Sequence, residues 1–315
     1  MEIVNLAYPL DPDLLAPYAK PQVLALGQFD GLHLGHVSVI QAALDKGKTL
    51  HLPVAMMTFY PHPKEVMKKG DYDGYLTPSR EKEIQLRSMG IDVLYIIEFN
   101  EEFSRVTPYQ FVHEVLEPLM VHTAVVGFDF RFGHKGEGDA EMLRVLGNDQ
   151  LHVLTIPPFL IEGEKVSSSG IRRHLLEGNL ANASAWLGRH YTLIGIVVNG
   201  EKRGRQIGFP TANIQLDEYY ALPIKGVYAV LATYADKVYK GVANLGVKPT
   251  FHSGDVKPSL EVHLFDFSGD LYGEMLQVEL VSFIREERKF SGIDELITQI
   301  RKDAEEAVTL LNHLK

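Results

Sequence analysis

Gly27-Gln28-Phe29-Asp30-Gly31-Leu32-His33-Leu34-Gly35-His36 stands between an apolar run, Val23-Leu24-Ala25-Leu26, and residues 37–44, whose apolar side chains recur at helical spacing. The decapeptide is therefore a strand-to-helix loop. Gly27, Gly31 and Gly35 let the backbone approach a ligand closely, and a helix opening near His36 aims free amide N–H groups and a positive dipole end at it. His33 and His36 add donors that can meet charge building up on a phosphate in flight, which suits phosphoryl or nucleotidyl transfer. Two other readings compete: a pair of partly exposed histidines in a turn, and a metal site. No cysteine is present to act as a third ligand, and His-x-x-His across a glycine loop lacks the one-faced helical spacing of a zinc motif.

A chain of 315 residues has room for two domains, each with its own core. Apolar residues at 45% and charged residues at 23% describe a soluble globular protein, and no apolar run is long enough to span a membrane. Glu2, Asp11 and Asp13 near the N-terminus, with no basic flank leading into an apolar stretch, argue against a signal peptide and for a cytoplasmic protein. Zero Cys fits a reducing compartment and excludes thiol nucleophiles and thiolate metal ligands. The net charge of −10, with no basic block, argues against nucleic acid or an acidic membrane as partner. An anionic substrate has to be held locally, by Arg, Lys, magnesium or helix ends.

Residues 51–59 form a second apolar run, ending in Tyr60-Pro61-His62-Pro63, a strand whose carboxyl end two prolines hold rigid. His62 enters the next loop either as a structural residue of the proline turn or as a functional one. Thr77-Pro78 supplies a capping hydroxyl and a proline at the first helical position, with Ile84, Leu86 and Met89 as the apolar face. Residues 93–99 read as a strand, and Thr107-Pro108 repeats the start signal ahead of Phe111, Val112, Val115 and Leu116. Residues 123–126 and 151–156 are further strands. Strands alternating with helices imply a parallel, doubly wound sheet with ligands at the carboxyl ends of its strands. Gly127-Phe128-Asp129-Phe130-Arg131-Phe132-Gly133 falls at such an end; it suits a flat aromatic ligand, and it also suits plugging a core. Ser167-Ser168-Ser169 precedes Ile171-Arg172-Arg173 and an amphipathic helix to about Leu176, a second anion cradle.

From Tyr191 the texture changes to short strands with frequent turns, a barrel or sandwich pattern. Candidate strands are residues 193–198, 226–234, 238–244, 260–265 and 277–284. Residues 293–314, with Leu296, Ile297, Ile300, Val308, Leu310 and Leu311, read as a closing helix. In Gly204-Arg205-Gln206-Ile207-Gly208-Phe209-Pro210-Thr211-Ala212-Asn213, the glycines and Arg205 can cradle phosphates, and Thr211 with Asn213 can offer oxygen ligands to magnesium. The stretch is not a Walker loop, and it reads equally as a glycine-rich hairpin. Glu261 shares one face of an alternating strand with His263 and Phe265, and the pattern alone favours a solvated acid over a general base.

With these residues assembled, the chain resembles the bacterial bifunctional riboflavin kinase/FAD synthetase family along nearly its whole length. Residues 27–36, 59–63, 127–133 and 167–172 match the FMN adenylyltransferase half in order. Residues 204–213, Gly241-Val242-Ala243-Asn244-Leu245-Gly246-Val247-Lys248-Pro249-Thr250-Phe251, Glu261 and Asp270-Leu271-Tyr272-Gly273 match the kinase half. The resemblance implies a Rossmann-like, doubly wound nucleotidyltransferase domain over residues 1–186. It places after it, over residues 187–315, a six-stranded antiparallel β-barrel with a closing helix as the riboflavin kinase domain. It implies two ATP-dependent steps with magnesium, riboflavin to FMN and then FMN to FAD.

The resemblance also implies roles. Gly27, Phe29, Asp30, Gly31 and Gly35, with Ser168, Ser169 and Arg172, would bind the ATP of the adenylyl step, with His33 and His36 catalytic on its phosphates. Gly204, Arg205, Gly208 and Pro210 would bind the ATP of the kinase step. His62, Phe128, Asp129, Phe130, Arg131 and Arg285 would face the flavin, and Thr211 and Asn213 would contact magnesium. Glu261 would take the riboflavin 5′-hydroxyl proton, against the solvated reading. Where the family writes Ser-Ser-Thr, this chain has Ser167-Ser168-Ser169, which keeps the hydroxyl. The implied partners are ATP, riboflavin and FMN, without nucleic acid or membrane and with room for a homo-oligomer. A single-activity enzyme with one degenerate half and a flavin-binding regulatory protein are the rival readings.

Overall fold

The computed structural model describes residues 1–67, 72–200, 204, 207–249 and 256–314, with backbone alone for 248, 249, 256 and 257. The chain forms two compact units, Met1–Asp73 with Ser79–Ser167, and Gly74–Pro78 with Ser168–Lys315.

The first unit is built on six parallel strands: β1 (Glu2–Leu6), β2 (Gln22–Leu26), β3 (Val54–Tyr60), β4 (Val93–Glu98), β5 (Val121–Gly127) and β6 (His152–Ile156), in the order β1-β4-β3-β2-β5-β6. The central strands read as unbroken apolar runs because both faces of the sheet are covered. Leu24, Leu26, Ala55, Met57, Ala124 and Val126 enter one core. Val23, Ala25, Val54, Met56 and Val125 enter the other, against Val39, Ile40 and Ala43 of the helix Leu34–Leu50. Gln22, the one polar residue of β2, is buried and fully bonded: its Nε2 donates to the carbonyls of Leu119 (2.6 Å) and Tyr18 (3.1 Å), and its Oε1 accepts from Tyr95 Oη (3.1 Å).

The chain leaves β2 towards β3 on one side and β5 towards β6 on the other, so the loops after β2 and β5 flank the point where strand order reverses. Ligands of doubly wound sheets bind in that crevice. Two local expectations change. The first helix runs from Leu34 to Leu50, longer than residues 37–44, and the run expected from His51 becomes strand only at Val54, because His51 caps the helix in the left-handed region (φ 55°). Ile84 is 54% exposed, and the helix Ser79–Met89 buries Leu86 together with Glu81 and Lys82. The Thr107 start signal forms a full capping box with Gln110, with Pro108 at the first helical position. A short hairpin, β7 (Leu160–Ile161) and β8 (Glu164–Lys165), follows β6.

After Gly74–Pro78, the second unit continues with the helices Ser168–Leu176 and Leu180–Leu187, the latter packed on β9 and β14 of a closed antiparallel barrel. The barrel strands are β9 (Tyr191–Val198), β10 (Ala212–Gln215), β11 (Gly226–Tyr234), β12 (Lys237–Pro249), β13 (Val256–Leu264) and β14 (Met275–Glu286), in the order β10-β13-β12-β11-β14-β9, with β9 pairing β10 to close it. Five of these strands are visible as alternating runs; the sixth, β10, has four residues and lies inside the glycine-rich stretch. Tyr228, Val230, Ala243, Leu245, Leu260, Val262 and Val278 fill the interior. Val227, Ala229 and Val242 point outwards under Ala307 and Leu311 of the closing helix Ile293–Asn312.

Candidate active sites

In the loop after β2, His33 itself is the N-cap of the helix, which therefore opens at Leu34 rather than near His36. Its Nδ1 accepts from the His36 backbone N–H at 3.2 Å, which fixes the ring proton on Nε2. The His33 and His36 rings stack, with centroids 3.6 Å apart and 15° between planes, and Phe29 meets His36 edge-on at 5.4 Å. Phe29 (φ 48°), Gly31 (φ 99°) and Leu32 (φ 40°) are all left-handed. Such strain in non-glycine residues costs about 1–3 kcal/mol each and persists where the surroundings impose it; here the Phe29 and Leu32 side chains are sunk into the core. Gly27 and Gly35 serve the loop's own rings, since a Cβ at Gly35 would lie 3.2 Å from the His33 imidazole and one at Gly27 3.1 Å from the Phe29 ring.

Beneath the loop, the carbonyl of Gln28 accepts from Thr58 Oγ1 (2.9 Å) and from Lys82 Nζ (3.3 Å). Lys82 and Asp30 are both buried. Burial lowers the Lys82 pKa, opposed by the charge of Asp30. His36 is held well below 6.5, first by burial, then by His33 and Lys82, so it is neutral at physiological pH. Its Nδ1 is buried and has no hydrogen-bond partner among the described residues. A neutral, half-buried imidazole at the mouth of a helix can hydrogen-bond a phosphate oxygen without demanding a counter-ion.

The loop after β5 splits by alternation. Phe130 and Phe132 stack on each other (5.6 Å) within the core, whereas Phe128, Asp129 and Arg131 are exposed. Phe130 is therefore packed in the core in this structure, while its flavin role rests on the resemblance alone. Lys165 of β8 donates to Asp129 Oδ2 at 2.6 Å and lies 4.5 Å from the Phe128 ring centre. Arg131 lies 3.8 Å from Asp139. His62 caps the short helix Pro63–Val66 through Nδ1, which accepts from Lys64 N at 3.1 Å, and stacks on Tyr72 at 4.4 Å. In the second unit Ser168 and Ser169 open the helix Ser168–Leu176, and Arg172 Nη2 donates to the Gly74 carbonyl at 2.7 Å.

On the barrel, strand register brings the kinase candidates into one row. Asn213 of β10 stands opposite Glu261 of β13, which stands opposite Asn244 of β12. Directly opposed residues share a sheet face. Asn244 in turn opposes the outward-facing Val227, so all three lie on the outer wall. Glu261 is half-buried there, between two amides, rather than the solvated acid its strand pattern favours. Asn244 Nδ2 also donates to Glu287 Oε1 at 3.1 Å. Thr211 precedes β10; Gly204 accepts from Phe209 N at 2.8 Å, and a Cβ at Gly204 would lie 3.5 Å from Thr211 Oγ1. Gly208 is left-handed (φ 86°), and the Pro210 carbonyl accepts from His263 Nδ1 at 2.7 Å.

Arg285 opposes Val227 in the same row, but its guanidinium is committed elsewhere. Nε and Nη2 grip the buried Asp303 of the closing helix (2.9 and 2.7 Å), and Nη1 donates to the Glu286 carbonyl at 2.9 Å. It ties down the closing helix, and its flavin role rests on the resemblance alone. Arg205, Thr250 and Phe251 lie outside the described residues. Lys82, Lys165, Asn244, Glu287 and His263 received no site role from the sequence, since their hydrogen-bond partners are 36 or more residues away or arise only from register.

Fold and sites together define a two-part phosphotransferase: a doubly wound nucleotidyltransferase unit with a glycine–histidine loop at its switch point, and an antiparallel barrel bearing an acid between amides. The FAD synthetase family matches residues 16–170 and the riboflavin kinase family matches residues 187–311. The bifunctional riboflavin kinase/FMN adenylyltransferase of Bacillus subtilis is 40% identical over 100% of both chains, and that of Escherichia coli K12 is 39% identical over 89% of this chain and 90% of its own. A crystal structure described as a macrolide-efflux protein from Streptococcus pneumoniae superposes with a TM-score of 0.85 at 32% identity, over 96% of this chain and 98% of that one. Among the described residues no helix is long and apolar enough to cross a membrane. The chain belongs to the bifunctional riboflavin kinase/FMN adenylyltransferase family.

Proposed function

We infer that the chain makes FAD in two ATP-dependent steps: phosphorylation of riboflavin to FMN, then adenylylation of FMN with release of pyrophosphate. The observation that carries this reading is the presence in one chain of both the His33–His36 stack at the switch point and the Asn213–Glu261–Asn244 row. We assign the adenylyl step to residues 1–186 and the kinase step to residues 187–315, and the setting to the cytoplasm, in keeping with the absence of cysteine.

In adenylyl transfer the FMN phosphate is already an ionised nucleophile, so no general base is required. The protein has to position two polyanions and meet the charge of departing pyrophosphate. His33 and the neutral His36, with the main-chain N–H groups at the helix start, are suited to that task. The nucleophile of the kinase step is an alcohol, whose proton must leave; Glu261, standing between Asn213 and Asn244, is the base. Phe128 and Asp129 are the exposed groups offered to the flavin after β5.

No group of three His, Cys, Asp or Glu able to hold a metal occurs among the described residues. The hydroxyl of Thr211 and the amide oxygen of Asn213 are hard donors that suit magnesium, which takes few protein ligands and completes its shell with phosphate oxygens and water. When bound, it would neutralise charge on the ATP phosphates. The test is incubation of the pure protein with riboflavin, ATP and magnesium, followed by chromatography of the flavins. FMN and FAD are both expected. FMN alone would mean a single-activity enzyme, and neither would mean a binding protein.

A further inference from the structure

His263 lies on β13 two residues beyond Glu261 and on the same face. Its ring is held between two phenyl rings, Phe209 at 5.6 Å (75°) and Phe265 at 5.7 Å (73°). Its Nδ1 is 2.7 Å from the Pro210 carbonyl oxygen. A carbonyl can only accept, so Nδ1 carries the proton and donates. Pro210 immediately precedes Thr211 and follows a turn that needs the left-handed Gly208. No ladder hydrogen bond can hold that turn at Pro210 nitrogen, because proline has no N–H. The His263 bond is thus a tether between the strand that carries the acid and the turn that leads into Thr211.

We propose that His263 is a positioning residue for riboflavin phosphorylation, setting Thr211, which precedes the paired residues of β10, against Glu261 by holding the Pro210 carbonyl. It touches neither substrate nor metal in this role. A rigid tether is worth having here because a displacement on the order of 1 Å in a phosphoryl-transfer site can cost about 10²-fold in rate. One strand then carries both the acid and the anchor of its metal contacts, so the two keep a common register.

The test compares His263→Phe, which keeps a flat ring and removes the donor, with His263→Asn, whose amide nitrogen falls where Nδ1 was. Riboflavin phosphorylation is measured across magnesium and ATP concentrations, with FMN adenylylation and thermal melting on the same preparations. The Phe variant is expected to lose about 10- to 100-fold in kcat/KM, with half-saturation by magnesium shifted upwards. The Asn variant is expected to stay within about 3-fold of the parent, and adenylylation to be unchanged in both. If His263→Phe melts early, His263→Gln replaces it, since its amide reaches the Nε2 position and misses Nδ1. A Phe or Gln variant with parental rate and magnesium dependence, or an Asn variant as impaired as Phe, overturns the proposal. The proposal rests on the kinase reading: a parent protein unable to phosphorylate riboflavin removes both, whereas an active parent with an indifferent Phe variant removes only the tether.

Discussion

Glu261→Gln keeps the shape and hydrogen-bonding reach of the acid but cannot accept a proton. Riboflavin phosphorylation should fall by roughly two to four orders of magnitude, in kcat more than in riboflavin KM, with FMN adenylylation barely changed. A Gln variant within a few-fold of the parent would mean that another group is the base. The combined changes His33→Ala and His36→Ala should abolish FAD formation from FMN and spare phosphorylation; equal loss of both activities in a folded protein would contradict separate sites. His36 also gives a pH signature. Its folded pKa lies well below the unfolded value of 6.5, so between the two the unfolded chain binds the extra proton. Its contribution is complete above pH 6.5 and is lost on acidification below it, by up to about 1.4 kcal/mol per pH unit. Urea unfolding at pH 7.5 and 5.5 measures this, and His36→Gln should shrink the difference.

Among the elements, the closing helix Ile293–Asn312 depends on one polar contact besides its apolar face. Asp303 is buried, and the Arg285 side chain keeps 21% of its exposure. Asp303→Ala should therefore destabilise the full chain by about 3 kcal/mol, the low end for breaking a buried pair, because water reaches the stranded guanidinium. Denaturant unfolding would check it. A rise in riboflavin KM without loss of stability would instead make Arg285 a flavin contact. The start of the helix Leu34–Leu50 makes a second case. Gly35→Ala pushes a methyl group to 3.2 Å from the His33 ring and should slow adenylylation while leaving the melting temperature nearly unchanged.

Over the whole molecule, the helices Ser168–Leu176 and Leu180–Leu187 belong to the unit that contains the barrel, with Leu175, Leu180, Trp186 and Leu187 buried. Residues 187–315 alone should fold and make FMN, since the barrel holds its own core. Residues 168–315 should melt at a higher temperature, because they keep the cover that Leu180–Leu187 gives to β9 and β14. Comparison of the two fragments by thermal melting and FMN production would test this. Equal melting temperatures would place those helices energetically outside the kinase domain.

The sequence by itself determined the alternation of strand and helix, the glycine–histidine loop, five of the six barrel strands and the closing helix. Each is written in local periodicity, capping residues or turn residues. Only the tertiary structure decided what depends on distant partners. β10 is too short to show a period and exists because β9 and β13 pair with it. Glu261 changes from a solvated acid to one framed by Asn213 and Asn244 through register alone. Phe128 and Phe130, two residues apart in one loop, part between surface and core, and Lys82 is buried despite its charge. Burial and cross-strand neighbours are properties of the folded chain, since they arise from residues that sequence separates and packing brings together.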